Sequence, residues 1–357
     1  MSPKNKSALR YIFLFLAFCQ RPASSDGRGK VLTLKSEENA ITTLVIDEKG
    51  GQLYAATSED NFRYTMDQRS AHVVRVRLSN FSRHNTLILP AGINPLTAGI
   101  FDNQHHSLFF GLYGDPNRSV PAKVVKISLP DFKYEKVLAL GKDEYGLSSA
   151  ILDHKNNIGY FGTLYGSITS IALTTTSVIG ILGLQSQENA FLCALIDPHG
   201  QFGYFGTSSG NIMKIRLSDF NPIGNLTVFR GEKGFRSAVM DLQGRYAYFA
   251  TEGTPAKILR LSLTDFTPQG TLVLEESEGP ILAAFIDYTG NIAYFVTGSK
   301  PSQLIQVRLS QFEKLDTKVL PREAYPVSAA TMDSLHKTLY LGINDHPAKL
   351  LKVPLTE

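Results

Sequence analysis

The chain is a succession of short apolar runs rich in β-branched and aromatic residues, separated by polar stretches that contain Gly, Asn, Asp and Pro. Such runs are typical of β-strands, and the residues between them are typical of turns. The runs recur in a constant order: strand, tight turn, strand, loop, strand, turn and strand. The pattern therefore predicts an all-β protein built from a repeated four-strand unit.

An aspartate marks each copy of this unit and returns at intervals of 55, 51, 44, 44, 46 and 46 residues. Residues at one fixed distance from this aspartate are called a column here. The aspartates are Asp47, Asp102, Asp153, Asp197, Asp241, Asp287 and Asp333. An aromatic residue stands seven positions later in every copy, at Tyr54, Phe109, Tyr160, Tyr204, Tyr248, Tyr294 and Tyr340. A small residue stands four positions earlier, at Thr43, Ala98, Ser149, Cys193, Ser237, Ala283 and Ala329.

The residues around each aspartate are those of a tight turn, as in the segment Asp197-Pro198-His199-Gly200. There the Asp side chain bonds to the local backbone and the Gly adopts a positive φ. The third strand of each unit ends in Leu, and in five units a Phe follows three residues later, at Phe81, Phe132, Phe220, Phe266 and Phe312. Four-stranded units at this period predict a seven-bladed β-propeller, with small residues on the innermost strands and the aromatic residues and Leu packed between blades.

The seventh unit ends after its third strand, at Glu357. A candidate for the missing strand lies at the other end of the chain, where Lys30-Val31-Leu32-Thr33-Leu34 matches Lys136-Val137-Leu138-Ala139-Leu140. We therefore expect residues 26–357 to form one propeller domain, in which strand 30–34 completes the last blade. Such closure removes the exposed sheet edge that would otherwise recruit other chains.

Three second-strand segments carry a resemblance to a known class of propellers. They are Tyr294-Phe295-Val296-Thr297, Tyr160-Phe161-Gly162-Thr163 and Tyr204-Phe205-Gly206-Thr207. They resemble the second-strand motif of the YVTN/NHL-type propeller repeats, although the residues after the first Tyr differ from the Val-Thr-Asn of that motif. The resemblance covers residues 30–357 and implies the propeller fold. It implies little about activity, because propellers host many functions.

The first 25 residues have the order of a secretory signal peptide. Lys4, Lys6 and Arg10 precede a short apolar run from Tyr11 to Cys19, and Ala23-Ser24-Ser25 supplies small residues for cleavage before Asp26. The apolar run is shorter than the ~20 residues that a membrane-spanning helix needs. We therefore expect a cleaved signal and a secreted, extracellular protein; an uncleaved membrane anchor is the alternative.

The positive charge of the chain is concentrated in this leader. The chain has 36 Lys and Arg against 32 Asp and Glu, and residues 1–25 contain four of the bases and none of the acids. The remaining chain is therefore balanced in charge. A balanced surface predicts neither nucleic acid nor an anionic membrane as a partner, and no later apolar run is long enough for membrane insertion.

The cysteine content and the glycosylation sequons are also consistent with an extracellular protein. Only Cys193 remains after signal removal, so no disulfide within the chain is expected; its place in the small-residue column predicts a packed side chain. Three Asn-x-Ser/Thr sequons fall in predicted loops or outer strands, at Asn80, Asn117 and Asn225. We expect a glycan to be tolerated at these positions.

The candidate ligand site comes from loops that break the sevenfold symmetry. The loops between the second and third strands of units 1 and 2 are long and polar, whereas those of units 3 and 4 are very short. The candidate ligand-binding residues are Arg63, Tyr64, Asp67 and Arg69 in unit 1 and Tyr113, Asp115 and Arg118 in unit 2. A local insertion on a constant scaffold is how repeat proteins place binding sites. The alternative is that these are neutral surface loops.

A glutamate column stands nine residues before the Asp, at Glu38, Glu144, Glu188, Glu232 and Glu278. Carboxylates near the channel mouth could hold Ca²⁺, so a metal site is one interpretation. The alternative is that each Glu accepts backbone hydrogen bonds in its own loop, as strict repetition suggests. A basic column in the third strand, Arg75, Lys126, Lys214, Arg260 and Lys352, is expected to pair with carboxylates.

Two functions remain open at this point. The first is a secreted, non-catalytic module that binds a protein, peptide or glycan ligand on the face around the propeller channel and needs no cofactor. The second is a propeller enzyme, a hydrolase or lyase with an axial Ca²⁺. The sequence contains no nucleophile elbow, phosphate-binding Gly loop or zinc spacing, and this favours the binding module.

Overall fold

The computed structural model describes residues 29–58, 70–114, 119–142, 144–183, 190–289 and 291–355. Over these residues the chain forms seven four-stranded antiparallel sheets arranged as the blades of a propeller. The all-β seven-bladed prediction is therefore confirmed. The predicted signal peptide, residues 1–25, lies outside the described residues. In the described part, none of the helical segments has the length and apolar character needed to cross a bilayer.

Each of blades 1–6 is built from four consecutive strands. Blades 1–3 comprise β2 (Ile41–Asp47), β3 (Gln52–Thr57), β4 (His72–Arg77), β5 (Ser82–Ile88), β6 (Leu96–Asp102), β7 (Ser107–Leu112), β8 (Lys123–Ser128), β9 (Lys133–Ala139), β10 (Leu147–Asp153), β11 (Ile158–Thr163), β12 (Ser167–Ala172) and β13 (Ser177–Gly183). Blades 4–6 comprise β14 (Phe191–Ile196), β15 (Phe202–Thr207), β16 (Asn211–Arg216), β17 (Asn221–Thr227), β18 (Phe235–Met240), β19 (Tyr246–Thr251), β20 (Lys257–Ser262), β21 (Thr267–Val273), β22 (Ile281–Asp287), β23 (Ile292–Thr297), β24 (Gln303–Arg308) and β25 (Glu313–Val319).

Blade 7 closes the ring with strands from both ends of the chain. It comprises β26 (Val327–Asp333), β27 (Thr338–Ile343), β28 (Lys349–Pro354) and the N-terminal β1 (Lys30–Thr33). β1 lies antiparallel to β28, with Lys30 opposite Lys352 and Thr33 opposite Lys349. Leu34 continues this edge by donating its N–H to the carbonyl of Ala348 at 2.9 Å. The predicted N-terminal closure is therefore confirmed.

The aspartate column shapes the turn between the first two strands, as predicted. Asp102 accepts hydrogen bonds from the backbone N–H groups of Gln104 and His105, at 3.0 and 3.2 Å. Asp197 does the same for Gln201 and Phe202, both at 2.6 Å. A side chain that satisfies two backbone donors holds a tight turn without further packing.

The hydrophobic core is divided into seven clusters, one between each pair of neighbouring blades. The second strands are buried on both faces, so they carry consecutive apolar residues instead of an alternating pattern. Their period of two sends neighbouring side chains in opposite directions. In β11, Tyr160 faces blade 4 and Phe161 faces blade 2. Each blade therefore contributes to the core on both of its sides.

One aromatic contact recurs between consecutive blades. The second-strand Tyr of one blade meets the Phe in the turn between the third and fourth strands of the next blade. Ring centroids are 5.6–6.2 Å apart in five pairs: Tyr54–Phe132, Tyr160–Phe220, Tyr204–Phe266, Tyr248–Phe312 and Tyr340–Phe81. The last pair joins blade 7 to blade 1. Blade 3 has Thr176 at the Phe position.

The Phe of each pair has an unusual backbone conformation. Its φ lies between 46° and 55° in all five turns, and Thr176 has a φ of 52°. A bulky residue in this left-handed region costs about 1–3 kcal/mol. Burial of a Phe ring against a neighbouring aromatic residue offsets that cost, since a buried aromatic ring contributes about 3 kcal/mol or more.

The basic column lies on these rings, so the expectation that it pairs with carboxylates is largely wrong. Arg75 stands over Phe132 at 5.7 Å, and Arg260 stands over Phe312 at 5.0 Å. Lys214 lies over Phe202 at 4.3 Å. Of this column, Lys126 also pairs with a carboxylate, that of Glu135, at 2.9 Å. A cation on an aromatic face is attracted by the ring quadrupole and covers the joint from solvent.

Removal of the N-terminal strand is expected to destabilise the whole ring. A chain that begins at Ser36 lacks β1 and Leu34, which is buried against blade 1. We expect its free energy of unfolding to fall by at least about 3 kcal/mol, because two Leu side chains lose their packing. We also expect self-association through the freed edge of β28. Thermal unfolding and size-exclusion chromatography measure both effects. A chain that begins at Gly29 is the control, and equal stability of the two chains would contradict the closure.

The inter-blade contact predicts unequal effects at equivalent positions. Phe132→Ala removes a buried ring from the joint with Tyr54, so we expect a loss of about 3 kcal/mol in unfolding free energy. Thr176→Ala at the same position of blade 3 removes a hydroxyl and one methyl group but no ring, with an expected loss of about 1–2 kcal/mol. Urea denaturation of both variants provides the measurement. Similar losses would show that the aromatic pair adds no specific stability.

Candidate functional site

The two faces of the propeller carry different connections. The face that we call the loop face holds the links between blades and the loops between second and third strands. The opposite turn face holds the other two turns of each blade. Most of the predicted loop site lies outside the described residues, namely Arg63, Tyr64, Asp67, Arg69, Asp115 and Arg118. Tyr113 is described: it follows β7 on the loop face, is half-buried, and donates its N–H to the carbonyl of Pro95 at 3.3 Å.

The glutamate column forms part of a repeated turn at the beginning of each blade. In every blade whose turn is described, the residue at this position donates its N–H to the carbonyl of the residue three positions earlier. Glu38 donates to Lys35 at 2.9 Å, and Glu278 donates to Glu275 at 3.0 Å. The two carboxylates return the bond by accepting from the N–H of Lys35 and of Glu275, at 3.0 and 2.9 Å. This is the arrangement expected of a scaffold residue.

The other oxygen of each carboxylate reaches the outermost strand of the same blade. Glu278 accepts hydrogen bonds from Lys314 at 2.8 Å and from Thr317 at 2.6 Å. Burial alone would raise the pKa of Glu278, but these donors hold its pKa below the ordinary value. Glu38 is buried too, and its bonds to Arg83 and Thr86 likewise lower its pKa. Both side chains therefore point toward the outer strands of their blades.

The remaining members of the column also remain within their own blades. Glu144 is buried and accepts from the hydroxyls of Ser167 and Thr169, at 2.6 and 3.0 Å. Glu232 is exposed and pairs with Lys257 at 2.5 Å. Glu188 lies outside the described residues. Over the described ranges, no three His, Cys, Asp or Glu side chains come together as a metal-ion site. Glu38, Glu144, Glu232 and Glu278, the members that lie in the described part of the chain, bond within their own blades and do not meet at one point.

Two sequons lie at exposed positions. Asn80 stands in the turn after β4, where its side chain accepts a hydrogen bond from Ser82 at 2.7 Å, and Asn225 is exposed on the outer strand β17. Asn117 lies outside the described residues. Cys193 is buried between blades 4 and 5, and burial raises the pKa of its thiol to about 12. At neutral pH this thiol is therefore protonated and packed, as expected for a small core residue.

A column that the sequence reasoning missed lines the loop-face end of the channel. Every inner strand has a β-bulge, with its unpaired residue five positions before the Asp. The seven residues are Thr42, Thr97, Ser148, Leu192, Arg236, Leu282 and Ser328. The hydroxyls belong to blades 1–3 and 7 and bond to the second strand of the same blade, as Ser148 does to the carbonyl of Gly162 at 3.3 Å. Blades 4–6 carry no such hydroxyl, so the channel mouth has two chemically different sides.

Arg236 differs most from the other residues of this column. It is exposed, and it is the only charged residue on the seven inner strands other than the Asp at their ends. With Leu282, Ser328 and Asn344 it lines a cavity of ≈ 230 Å³ at the loop-face end of blades 5–7. β-Bulges commonly redirect a side chain beside a functional site. The column was visible in the repeat, and alignment on the Asp would have shown Arg236 as its one charged member.

Comparison of the sequence with protein-family models and with curated proteins gives no match. The assignment of a site therefore rests on the residues and geometry described above.

The glutamate turns predict a pH-dependent contribution to stability. The folded pKa of Glu278 lies below its ordinary value of 4.5, so its stabilising effect is full above that pH and is lost as the pH falls through the folded pKa. We expect Glu278→Gln to reduce the unfolding free energy by about 2 kcal/mol at pH 7 and by progressively less below pH ~4.5. Urea denaturation across this range measures the difference.

Glu232→Gln is the matched control, because Glu232 occupies the same column but is exposed. Its loss should not exceed about 1 kcal/mol. A Glu278→Gln effect that is independent of pH would contradict a role for the charged carboxylate.

Proposed function

We propose that this chain is a secreted, non-catalytic binding module of the YVTN/NHL propeller type, which holds a protein, peptide or glycan ligand on its loop face around the channel. The observation that carries the proposal is the asymmetry of that channel mouth. Four blades present hydroxyls that are engaged by backbone carbonyls of their own second strand and, for Thr97 and Ser148, also of the next blade. Blades 4–6 instead present Leu192, Arg236 and Leu282.

The scaffold accounts for most of the other repeated polar residues. The Asp column is engaged in turns, the described Glu side chains bond within their blades, and the basic column lies on aromatic rings. These residues recur at fixed positions of the unit, in all seven copies for Asp and in five for the Glu and basic columns, as structural residues do. The deviations from the period are the long loops of blades 1 and 2 and the bulge column. The bulge column and the strand ends that flank these two loops lie at the loop face, and this supports a ligand site there.

An extracellular location is supported by the leader and by the sequons. Residues 1–25 have the charge, apolar run and small residues of a signal peptide. Asn80 and Asn225 are exposed, so both could carry a glycan without disturbing the core. A single buried Cys193 fits a protein that depends on its large core for stability in an oxidising environment.

The alternative enzyme with an axial Ca²⁺ gains less support. An axial ion needs several oxygen ligands directed at one point. Glu38 and Glu278 instead direct their carboxylates to the outer strands, and Glu144 bonds to β12. The binding module is therefore the function that the geometry favours.

The proposal predicts that charge removal on the loop face weakens ligand capture. We expect Arg63→Ala combined with Arg69→Ala to reduce capture of extracellular material by the immobilised protein at least ~10-fold, which corresponds to the loss of one good charge-assisted contact. Capture from the extracellular fluid of the source, with and without EDTA, followed by mass spectrometry, provides the measurement.

Lys49→Ala combined with Arg77→Ala is the matched control, because it removes two positive charges from the turn face of the same blade. Equal capture by both double variants and the unmodified protein would contradict a ligand site in the blade 1 loop. Capture abolished by EDTA would favour the Ca²⁺-dependent alternative.

A further inference from the structure

We infer that the cavity beside Arg236 binds a carboxylate whose neighbouring atom carries a hydrogen-bond donor and a small apolar group. The C-terminal residue of a peptide and a free 2-hydroxy acid share this chemistry. The inference rests on the proposed function, because it takes the loop face as the ligand side. It adds the chemical class of the group that enters the channel mouth.

Arg236 supplies the positive charge of the cavity. Its side chain begins at the bulge of β18, where it is exposed. Among the described residues, no hydrogen bond or ion pair engages its guanidinium. Lys257 on the same face differs, because it pairs with Glu232 at 2.5 Å. An unpaired guanidinium presents a planar fork of N–H donors, which matches the two oxygens of a carboxylate.

The walls of the cavity select what accompanies the carboxylate. Leu282, Ala283, Pro326 and Val327 form an apolar surface next to Arg236. The Oδ1 atom of Asn344 is buried on the same cavity, and within the described ranges no group donates a hydrogen bond to it. An unsatisfied buried acceptor costs about 1–3 kcal/mol. A donor on the ligand, an amide N–H or a hydroxyl, would satisfy it.

The size and charge of the cavity favour a carboxylate over a phosphate. Its volume is ≈ 230 Å³, below the ~300–1,000 Å³ of pockets that hold drug-sized ligands, so one residue-sized group fits. Arg236 is the only cation among its lining residues. A phosphate monoester carries about −1.5 to −2 charges at neutral pH and is held best by several donors and cations. A single guanidinium balances a single negative charge.

Titration with small test ligands examines the inference directly. N-acetylvaline represents a peptide C-terminus, 2-hydroxyisovalerate represents a free hydroxy acid, and isovalerate lacks the donor. N-acetylvaline amide lacks the charge, and inorganic phosphate tests the anion class. We expect saturable binding of the first two by calorimetry and saturation-transfer NMR. The amide should bind at least ~10-fold more weakly, because the charge-assisted bonds to Arg236 are lost. The tighter of the first two ligands identifies the source.

Variants then assign the contacts. Arg236→Gln should weaken N-acetylvaline at least ~10-fold, and Arg230→Gln, which removes a nearby exposed charge from the same blade, should change it less than about twofold. Asn344→Leu should abolish the preference for 2-hydroxyisovalerate over isovalerate. Because Arg236 is exposed, its variant should keep the melting temperature of the unmodified protein, which confirms that the fold is intact.

Three outcomes would overturn the inference: no saturable binding of either carboxylate, tighter binding of phosphate, or unchanged affinity in Arg236→Gln. They are separable from a failure of the proposed function. If Arg236→Gln binds normally but the double variant of Arg63 and Arg69 loses its captured partner, the carboxylate site is wrong and the binding module stands. If neither variant changes any binding, both fail.

Discussion

The contact between the second-strand Tyr of one blade and the turn Phe of the next is the interaction on which the architecture depends. A four-stranded sheet with apolar side chains on both faces must be covered on both faces, and here the neighbouring blades cover them. The Tyr–Phe pairs provide this match at five of the seven joints, including the seam between blades 7 and 1. The Phe occupies a costly left-handed conformation, and its burial in the joint offsets the backbone cost. In four of the five pairs a cation lies over a ring and covers the joint from water, whereas Ser170 stands at this position beside Tyr160–Phe220.

Most of the repeated polar residues that could be taken for catalytic or metal-binding groups have a structural role in this scaffold. Asp197 holds a turn, Glu278 ties an inter-blade link to an outer strand, and Arg75 covers an aromatic pair. The Asp recurs in all seven units, and the Glu and the basic residue recur at their positions in five of the seven. Function is therefore expected where the period breaks, because a constant scaffold with local variation is how repeat proteins acquire a binding site. The bulge column places such a break inside the channel mouth.

The fold could be predicted in detail because its signals are local and repeated. Each unit repeats a turn with Asp, an aromatic residue seven positions later and apolar runs of strand length, and seven repetitions are too many for coincidence. The match of strand 30–34 to a fourth strand predicted the closure. The site could not be predicted in the same way. The basic column was expected to pair with carboxylates because sequence distance does not show that Phe132 of the next blade lies under Arg75. Contacts between blades join residues about 50 positions apart, and no local pattern encodes which side chains meet.

The number of blades, the strands of each blade and the strand that closes the ring follow from the linear pattern of residues alone. Period and polarity suffice for these, because hydrogen bonding within a sheet and burial between sheets act on every copy alike. Only the tertiary structure decided the direction of the side chains. It turned Glu38 toward an outer strand and directed Arg236 from a bulge into a cavity with Asn344. A bulge shifts the alternation of a strand by one residue, and the consequence depends on neighbouring blades, which the linear sequence does not place.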